Sequence, residues 1–270
     1  MVRSNNDKKT VLIVTCLDPL SEGWRVIGRA ILSRVKASRR ILIVPRVTEM
    51  ISRVNLGWEV VRESAYVERI PGLYYNEVRD RFGDRSGWYI QQFAKLGALI
   101  GEDYEVAAVW DADTLPLTDF YLGQMPASLV RFGSREFHEP YFSQIERFTG
   151  LKKKDRLSHI GQVMFVRRHW IDSFQEFVAQ LNGMYWGSKL LSSISPEERY
   201  GFSEFEMLGT YFSYFHASEV GPMSTRWSRH GTRYFSHPRM ADCFPWLGRI
   251  WFHLSFETWE KPLLFPKKAD

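Results

Sequence analysis

The chain has 270 residues, 44% hydrophobic and 25% charged, which is room for one large domain or two small ones and the composition of an ordinary globular protein. Residues 1–10 are polar and charged, with no secretory apolar core, and no apolar run approaches the roughly 18–20 residues of a membrane span. The net charge of +5 favours anionic partners, and Cys16 and Cys243 carry no spacing motif, which argues against a disulfide scaffold and for a reducing compartment.

In chain order, residues 11–15 (VLIVT) predict a strand that runs into a Cys16-Leu17-Asp18-Pro19 turn. Residues 23–36 carry Trp24, Ile27, Ile31, Leu32 and Val35 at helical spacing, and residues 41–44 (ILIV) predict a second buried strand ended by Pro45. Strand, helix and strand within 45 residues point to a sheet with parallel members, at whose strand ends a nucleotide would sit. Thr15 and Asp18 are therefore candidates for contacting a base or ribose. No dinucleotide fingerprint and no P-loop is present. A further strand is expected over residues 60–67 and helices over 75–82 and 88–100. In the last of these, Gln91 and Lys95 lie one turn apart on one face. Lys95 reads either as a phosphate ligand or as a solvated lysine on an amphipathic helix.

Residues 106–110 (VAAVW) predict a strand buried on both faces. It delivers Asp111 and Asp113 across the small Ala112, and on an extended strand end residues i and i+2 point the same way. Pro116 then stops the strand. Paired carboxylates at the end of a buried strand suit a hard divalent cation that also holds substrate phosphates. An acidic turn after a core strand is the alternative.

Strands are expected over 127–132 and 159–166, and helices over 140–149, 170–181 and 203–215. The basic run from Lys152 to Arg156 reads as a solvated loop, with an anionic surface as the minority partner. Ser203-Glu204-Phe205-Glu206 has the form of a capping box, with Ser203 at the N-cap and Glu206 at N3, which would leave Glu204 free for chemistry. The last 55 residues are rich in Trp, Arg, His and Pro with weak periodicity. Ten tryptophans suit stacking on bases or sugars, and equally a Trp-rich core. No repeat or linker divides the chain, so residues 11–270 are expected to form one domain behind a flexible 1–10 segment.

The strand followed by D-A-D-T-L-P-L, preceded by a helix bearing Q-x-x-x-K-L, resembles the sugar-nucleotide-dependent glycosyltransferases of the GT-A fold, in particular glycogenin-like enzymes and bacterial relatives from surface-polysaccharide loci. That resemblance implies an α/β architecture, a Rossmann-type, mixed and mostly parallel sheet flanked by helices. Residues 11–125 would be the donor half and 126–270 the acceptor half. It implies that Asp111 and Asp113 bind Mn²⁺ or Mg²⁺, which holds the diphosphate of a UDP- or GDP-sugar, with Asp111, Gln91 and Lys95 near the donor. A late histidine completes such metal sites. Phe252-His253-Leu254-Ser255 followed by Trp259-Glu260-Lys261-Pro262 is similar to the family's H-F-x-G…K-P-W signature, although Leu254 replaces an aromatic residue and the glycine is absent. His237 and His230 are rivals to His253. Glu204 or Glu206 would serve the acceptor, as general base in an inverting enzyme. The implied activity is transfer to a saccharide or glycolipid acceptor in the cytoplasm, with peripheral association at the inner membrane face left open and no nucleic-acid partner.

Two other readings use the same features. A haloacid-dehalogenase-like phosphatase would use Asp111 as nucleophile, but that family carries its motif near the domain's N-terminus and a paired acidic motif downstream. A basic nucleic-acid-binding protein rests on charge and aromatic content alone, without a recognition motif.

Overall fold

Two strands with continuous apolar runs, Val11–Val14 and Val106–Trp110, set the centre of the protein. In the computed structural model, which describes residues 9–257, Thr10–Thr15 is buried along its whole length and Val106–Asp111 is buried until its last residue. They pair in parallel within a five-stranded sheet ordered Glu59–Arg62, Arg39–Val44, Thr10–Thr15, Val106–Asp111, Val163–Arg167. Only the last strand is antiparallel to its neighbour. The chain steps outward from Thr10–Thr15 on one side, then returns to add Val106–Asp111 on the other. The two central strands thus flank the point where the strand order reverses, the place at which open α/β sheets keep a crevice beyond their carboxyl ends. Thr15 lies opposite Asp111 in the register, so both strands open into that crevice together.

The first helix, Glu22–Arg34, starts where Ser21 accepts the Trp24 N–H through its side chain. The helices Tyr75–Phe82, Ser86–Gly101, Glu139–Thr149, Arg168–Asn182 and Glu204–Phe215 lie where the apolar spacing predicts them. Ser86–Gly101 and Glu204–Phe215 are buried nearly all round, which is the behaviour of a core helix rather than a surface one. Trp110, Trp170 and Trp186 are among the largest fully buried side chains, so much of the aromatic content belongs to the core.

Three expected strands are shorter than their sequences suggest, and the one expected over 127–132 begins at Leu129. The strand expected over 60–67 ends at Arg62, and Glu63–Val67 turns into a helix. That helix sits directly on Ser86–Gly101, where Gly97 leaves room for the Tyr66 carbonyl; a β-carbon at Gly97 would overlap it. The strand expected over 159–166 begins only at Val163, because Gln162 adopts a left-handed φ of 62° that breaks the extended run. The helix Trp186–Ser193 has no counterpart in the predicted elements.

The weakly periodic end of the chain also supplies β-structure. His253–Ser255 pairs antiparallel with Thr114–Pro116 and parallel with Trp227–Ser228, forming a small second sheet. Its consequence is positional: it carries the end of the described chain back to the two aspartates. Trp259, Glu260, Lys261 and Pro262 lie outside the described residues.

Candidate active site around Asp111 and Asp113

Asp111 is the last residue of the central strand, and Ala112 and Asp113 form a turn before Thr114 enters the small sheet. The carboxylates therefore converge through a turn rather than through a continued extended strand. The Trp110 indole N–H donates to the Thr114 carbonyl at 2.7 Å, which closes that turn from beneath. The Asp111 N–H donates to the Gln162 carbonyl at 3.0 Å, and the Phe256 N–H to the Asp113 carbonyl at 2.8 Å. Both aspartates are half-buried.

Asp113 accepts from the Thr114 hydroxyl at 3.2 Å, and the Ser255 hydroxyl lies 3.4 Å from the same oxygen. Burial first, and the charge of Asp111 second, push its carboxyl up to about 6. Asp111 is engaged from below by Lys95, whose Nζ sits 2.5 Å from Oδ1. Lys95 is 3% exposed, and its Nζ is also 3.0 Å from Glu204 Oε1 and 4.7 Å from the centre of the Phe205 ring. Burial alone would discharge this lysine, but the two carboxylates outweigh it and raise its pKa.

Lys95 is thus neither solvated nor turned outward to a phosphate. It is a buried counter-ion that joins Asp111 to Glu204. Gln91, one turn earlier on the same helix, is half-buried. Thr15 is buried beside Asp111, whereas Asp18 is exposed and its side chain accepts the Leu20 N–H in the first turn after the strand.

The two glutamates divide differently from the capping-box expectation. Ser203 does accept the Glu206 N–H at 3.3 Å. Glu206, however, turns away from the cap: its Oε1 accepts the His159 N–H at 3.0 Å and the Ser158 hydroxyl. Glu204 is fully buried, and neither of its oxygens has a well-aligned hydrogen bond despite the nearby Lys95 ammonium. Burial, opposed by Lys95 and reinforced by Asp111, pushes its carboxyl up to about 7. Neither glutamate presents an oxygen to solvent. A direct base role toward an acceptor is therefore not what the geometry offers: Glu206 fastens the loop before Val163–Arg167, and Glu204 acts on Asp111 through Lys95.

His253 also stands apart from its expected place. Its ring is enclosed by Trp110, Phe132 and Trp227, with centroids 5.8, 4.7 and 5.5 Å away, and its Nε2 donates to the Gly161 carbonyl at 2.8 Å. Burial lowers its pKa to about 3, so the ring is neutral. Among the described residues, its nitrogens do not join Asp111 and Asp113 in a group close enough to share an ion. Of the rivals, His237 caps a short helix by accepting the Arg239 N–H at Nδ1, and His230 forms a β-bridge with Phe256.

Alternation along the strand explains what takes the place beside the aspartates. Ser255 and Glu257 follow His253 at i+2 and i+4, and these are the side chains that come up to the carboxylate pair. Glu257 is held by Arg229, with Nε 3.0 Å away, and by the Gln162 side chain at 3.2 Å. Burial, against the pull of Arg229 and with the charges of Asp113, Glu136 and Asp111, pushes it up to about 8. Arg229 also reaches Glu136 at 2.6 Å. Gln162, Arg229, Ser255 and Glu257 were not among the sequence candidates. The period-2 spacing from His253 was the one available signal for Ser255 and Glu257.

No family model matches the chain, and no curated protein matches its sequence. Solved structures do. Mouse xyloside xylosyltransferase 1 superposes with a TM-score of 0.50 over 93% of this chain and 98% of its own, at 11% identity. The galactosyltransferase LgtC, solved with donor and acceptor sugar analogues, gives 0.50 over 91% of this chain and 86% of its own, at 10% identity. The bifunctional glycosyltransferase WbbM gives 0.50 at 10% identity, with 95% of this chain matching 47% of that one. The fold is GT-A. In GT-A terms, Asp111 and Asp113 stand where the sheet's crevice opens.

The residues present suit a hard cation. The charge of Asp111 raises Asp113, the charges of both raise Glu257, and the hydroxyls of Thr114 and Ser255 reach the Asp113 carboxylate, although among the described residues the three carboxylates do not lie close enough together to share an ion as they stand. Oxygen donors with excess negative charge are the chemistry that Mg²⁺ and Mn²⁺ select. Among the described residues no helix is long and apolar enough to cross a membrane.

Proposed function

We propose that this chain transfers a sugar from a nucleotide-sugar donor, of the UDP- or GDP-sugar class, to a saccharide or glycolipid acceptor, using Mn²⁺ or Mg²⁺. The observation that carries the reading is the Asp111–Asp113 pair at the reversal point of a GT-A sheet, its inner member fixed by a buried lysine. Asp111 and Asp113 would hold the ion, which supplies positive charge to the donor's diphosphate. In the transfer, an acceptor hydroxyl oxygen bonds to the anomeric carbon while the bond from that carbon to the diphosphate oxygen breaks. The proton of the hydroxyl leaves to solvent or to the departing phosphate.

The chain's own groups prepare this chemistry. Lys95 pairs with Asp111 and aims it, and the hydroxyls of Thr114 and Ser255 orient Asp113. Gln162 sets the edge of the crevice by accepting the Asp111 N–H and holding Glu257. A role in bacterial surface-polysaccharide or glycolipid synthesis is part of the same proposal and rests on the DxD and Q-x-x-x-K-L resemblance. No observation favours the phosphatase reading, whose family carries its motif near the domain's N-terminus and a paired acidic motif downstream.

The test is thermal stability with a panel of nucleoside diphosphates, with and without Mn²⁺. A ligand that binds only the folded state at 100-fold its Kd adds about 2.7 kcal/mol. One nucleotide should raise Tm only when Mn²⁺ is present, and Asp113→Asn should remove that rise while leaving the metal-free Tm within a few degrees. Mn²⁺-dependent stabilisation that survives in Asp113→Asn, or none with any nucleotide, would overturn the reading.

A further inference from the structure

A second cluster of metal-binding side chains lies far from the aspartates. His169 is the second residue of Arg168–Asn182, a helix that starts where Val163–Arg167 ends, at the far end of that strand from Asp111. His216 caps the carboxyl end of Glu204–Phe215 by donating its N–H to the Phe212 carbonyl. Twelve helical residues, about 18 Å, separate that end from Glu204. Glu219 closes the next turn, its N–H donating to the His216 carbonyl at 2.9 Å.

One ligand atom from each of His169, His216 and Glu219 falls within 4.8 Å of the others. His169 Nε2 is 2.9 and 3.1 Å from the two Glu219 oxygens, and His216 Nδ1 is 3.4 Å from Oε1. Ligands about 2.0–2.1 Å from a tetrahedral zinc are roughly 3.3 Å from one another, so the cluster needs little movement to take an ion.

The orientation of His216 adds to this. Its Nε2 lies 2.8 Å from the Ser173 hydroxyl, which also approaches the Trp170 carbonyl at 3.0 Å. With the Nε2 proton on the Ser173 side, Nδ1 turns a lone pair toward the Glu219 carboxylate, and a cation satisfies both. The ring is also held in place by stacking on the buried Trp170, at 5.5 Å and 28°. A ligating histidine whose second nitrogen donates to a fixed acceptor is the usual arrangement around bound zinc.

We propose that His169, His216 and Glu219 bind one divalent transition-metal ion of the zinc class, with a water in the fourth position on the exposed His169 side. The ion ties the start of one helix to the end of the helix that carries Glu204. Two histidines and one carboxylate suit a borderline ion such as Zn²⁺, whereas the oxygen-only site at Asp111 and Asp113 suits Mg²⁺ or Mn²⁺.

The experiment uses the full chain carrying Asp113→Asn, which removes a ligand of the carboxylate site and leaves the Lys95–Asp111 and Lys95–Glu204 pairs intact. After chelator treatment, Zn²⁺ affinity is read by competition with a chromophoric chelator, and Co²⁺ is added in parallel for its visible spectrum. One zinc per chain is expected, with cobalt bands of four- or five-coordinate N/O ligation. His169→Ala and His216→Ala should each abolish both signals, with circular dichroism as the control for folding. Ser173→Ala, which removes only the acceptor behind His216, should weaken zinc about 10–100-fold. Zinc retention unchanged in His169→Ala and His216→Ala, or no zinc bound because a proton alone bridges Nδ1 and Glu219, would overturn the proposal.

Discussion

Replacing Lys95 with methionine, which fills the same space without charge, tests whether the buried ion triad organises the site. Lys95 is 3% exposed, with Asp111 Oδ1 at 2.5 Å and Glu204 Oε1 at 3.0 Å. At an effective dielectric of about 20, those separations correspond to about 6.6 and 5.5 kcal/mol of attraction. Desolvation of the three ions cancels much of that, and breaking a buried pair from one side nets about 3–5 kcal/mol. Lys95→Met should therefore lose about 3–5 kcal/mol in urea unfolding at pH 8. The pH dependence has a definite sign. Glu204 titrates at about 7 in the folded protein against an ordinary 4.5, and without Lys95 it rises further. The folded state then holds a proton that the unfolded state releases above about 4.5, so stability falls as pH rises through that window. The deficit should be smaller at pH 5, where Glu204 is protonated, than at pH 8. Lys95→Met combined with Glu204→Gln should recover at least about 1 kcal/mol relative to additivity. A deficit below about 1 kcal/mol, a deficit equal at both pH values, or an additive double variant would refute the triad as an electrostatic unit.

Three further outcomes follow from the geometry. His253 is neutral and buried, with its pKa lowered to about 3 from 6.5, so the unfolded state binds a proton that the folded state refuses between those values. Stability should fall as pH drops below 6.5, by up to about 1.4 kcal/mol per unit from this group; unfolding of His253→Phe should show a shallower acid limb, and an unchanged limb would remove His253 as its source. Gly209 faces the His159 ring so closely that a β-carbon would enter it, and Gly209→Ala should cost about 1–3 kcal/mol in chemical denaturation; a neutral result would mean that His159 moves freely. Glu206→Gln keeps an acceptor for His159 and Ser158 and should stay within about 1 kcal/mol of wild type, whereas Glu206→Ala should lose about 1–3 kcal/mol; equal losses in calorimetry would contradict the assigned hydrogen bonds.

Much of the fold was legible because its elements are long and strongly patterned. The strands around Val11–Val14 and Val106–Trp110 are continuous apolar runs, and only a sheet covered on both faces buries such runs. Ser203 announced a helix start that the structure keeps. What the sequence could not supply was the destination of side chains across the chain. Lys95 read as a phosphate ligand or a solvated lysine, because its partners Asp111 and Glu204 lie 16 and 109 positions away. His253 drew notice as a residue type, yet the register of its short strand turns it into an aromatic cage and brings Ser255 and Glu257 to the aspartates. Gln162 gave no signal in its residue type, since its role lies in its backbone carbonyl and a left-handed φ.

The first turn of Glu204–Phe215 grips two separate walls of the crevice. Glu204 reaches the floor through Lys95 to Asp111, and Glu206 holds the Ser158–His159 loop that runs on to Gln162. The spacing between the Asp111 strand end and the loop leading to Gln162 is thereby held by a single helical turn, as a caliper is set by one screw. Sequence change would find its freedom in the surrounding loops, while exchange of this turn would alter both contacts at once. Libraries that vary the loops and keep residues 203–206 should retain folded members at a higher frequency than libraries that do the reverse.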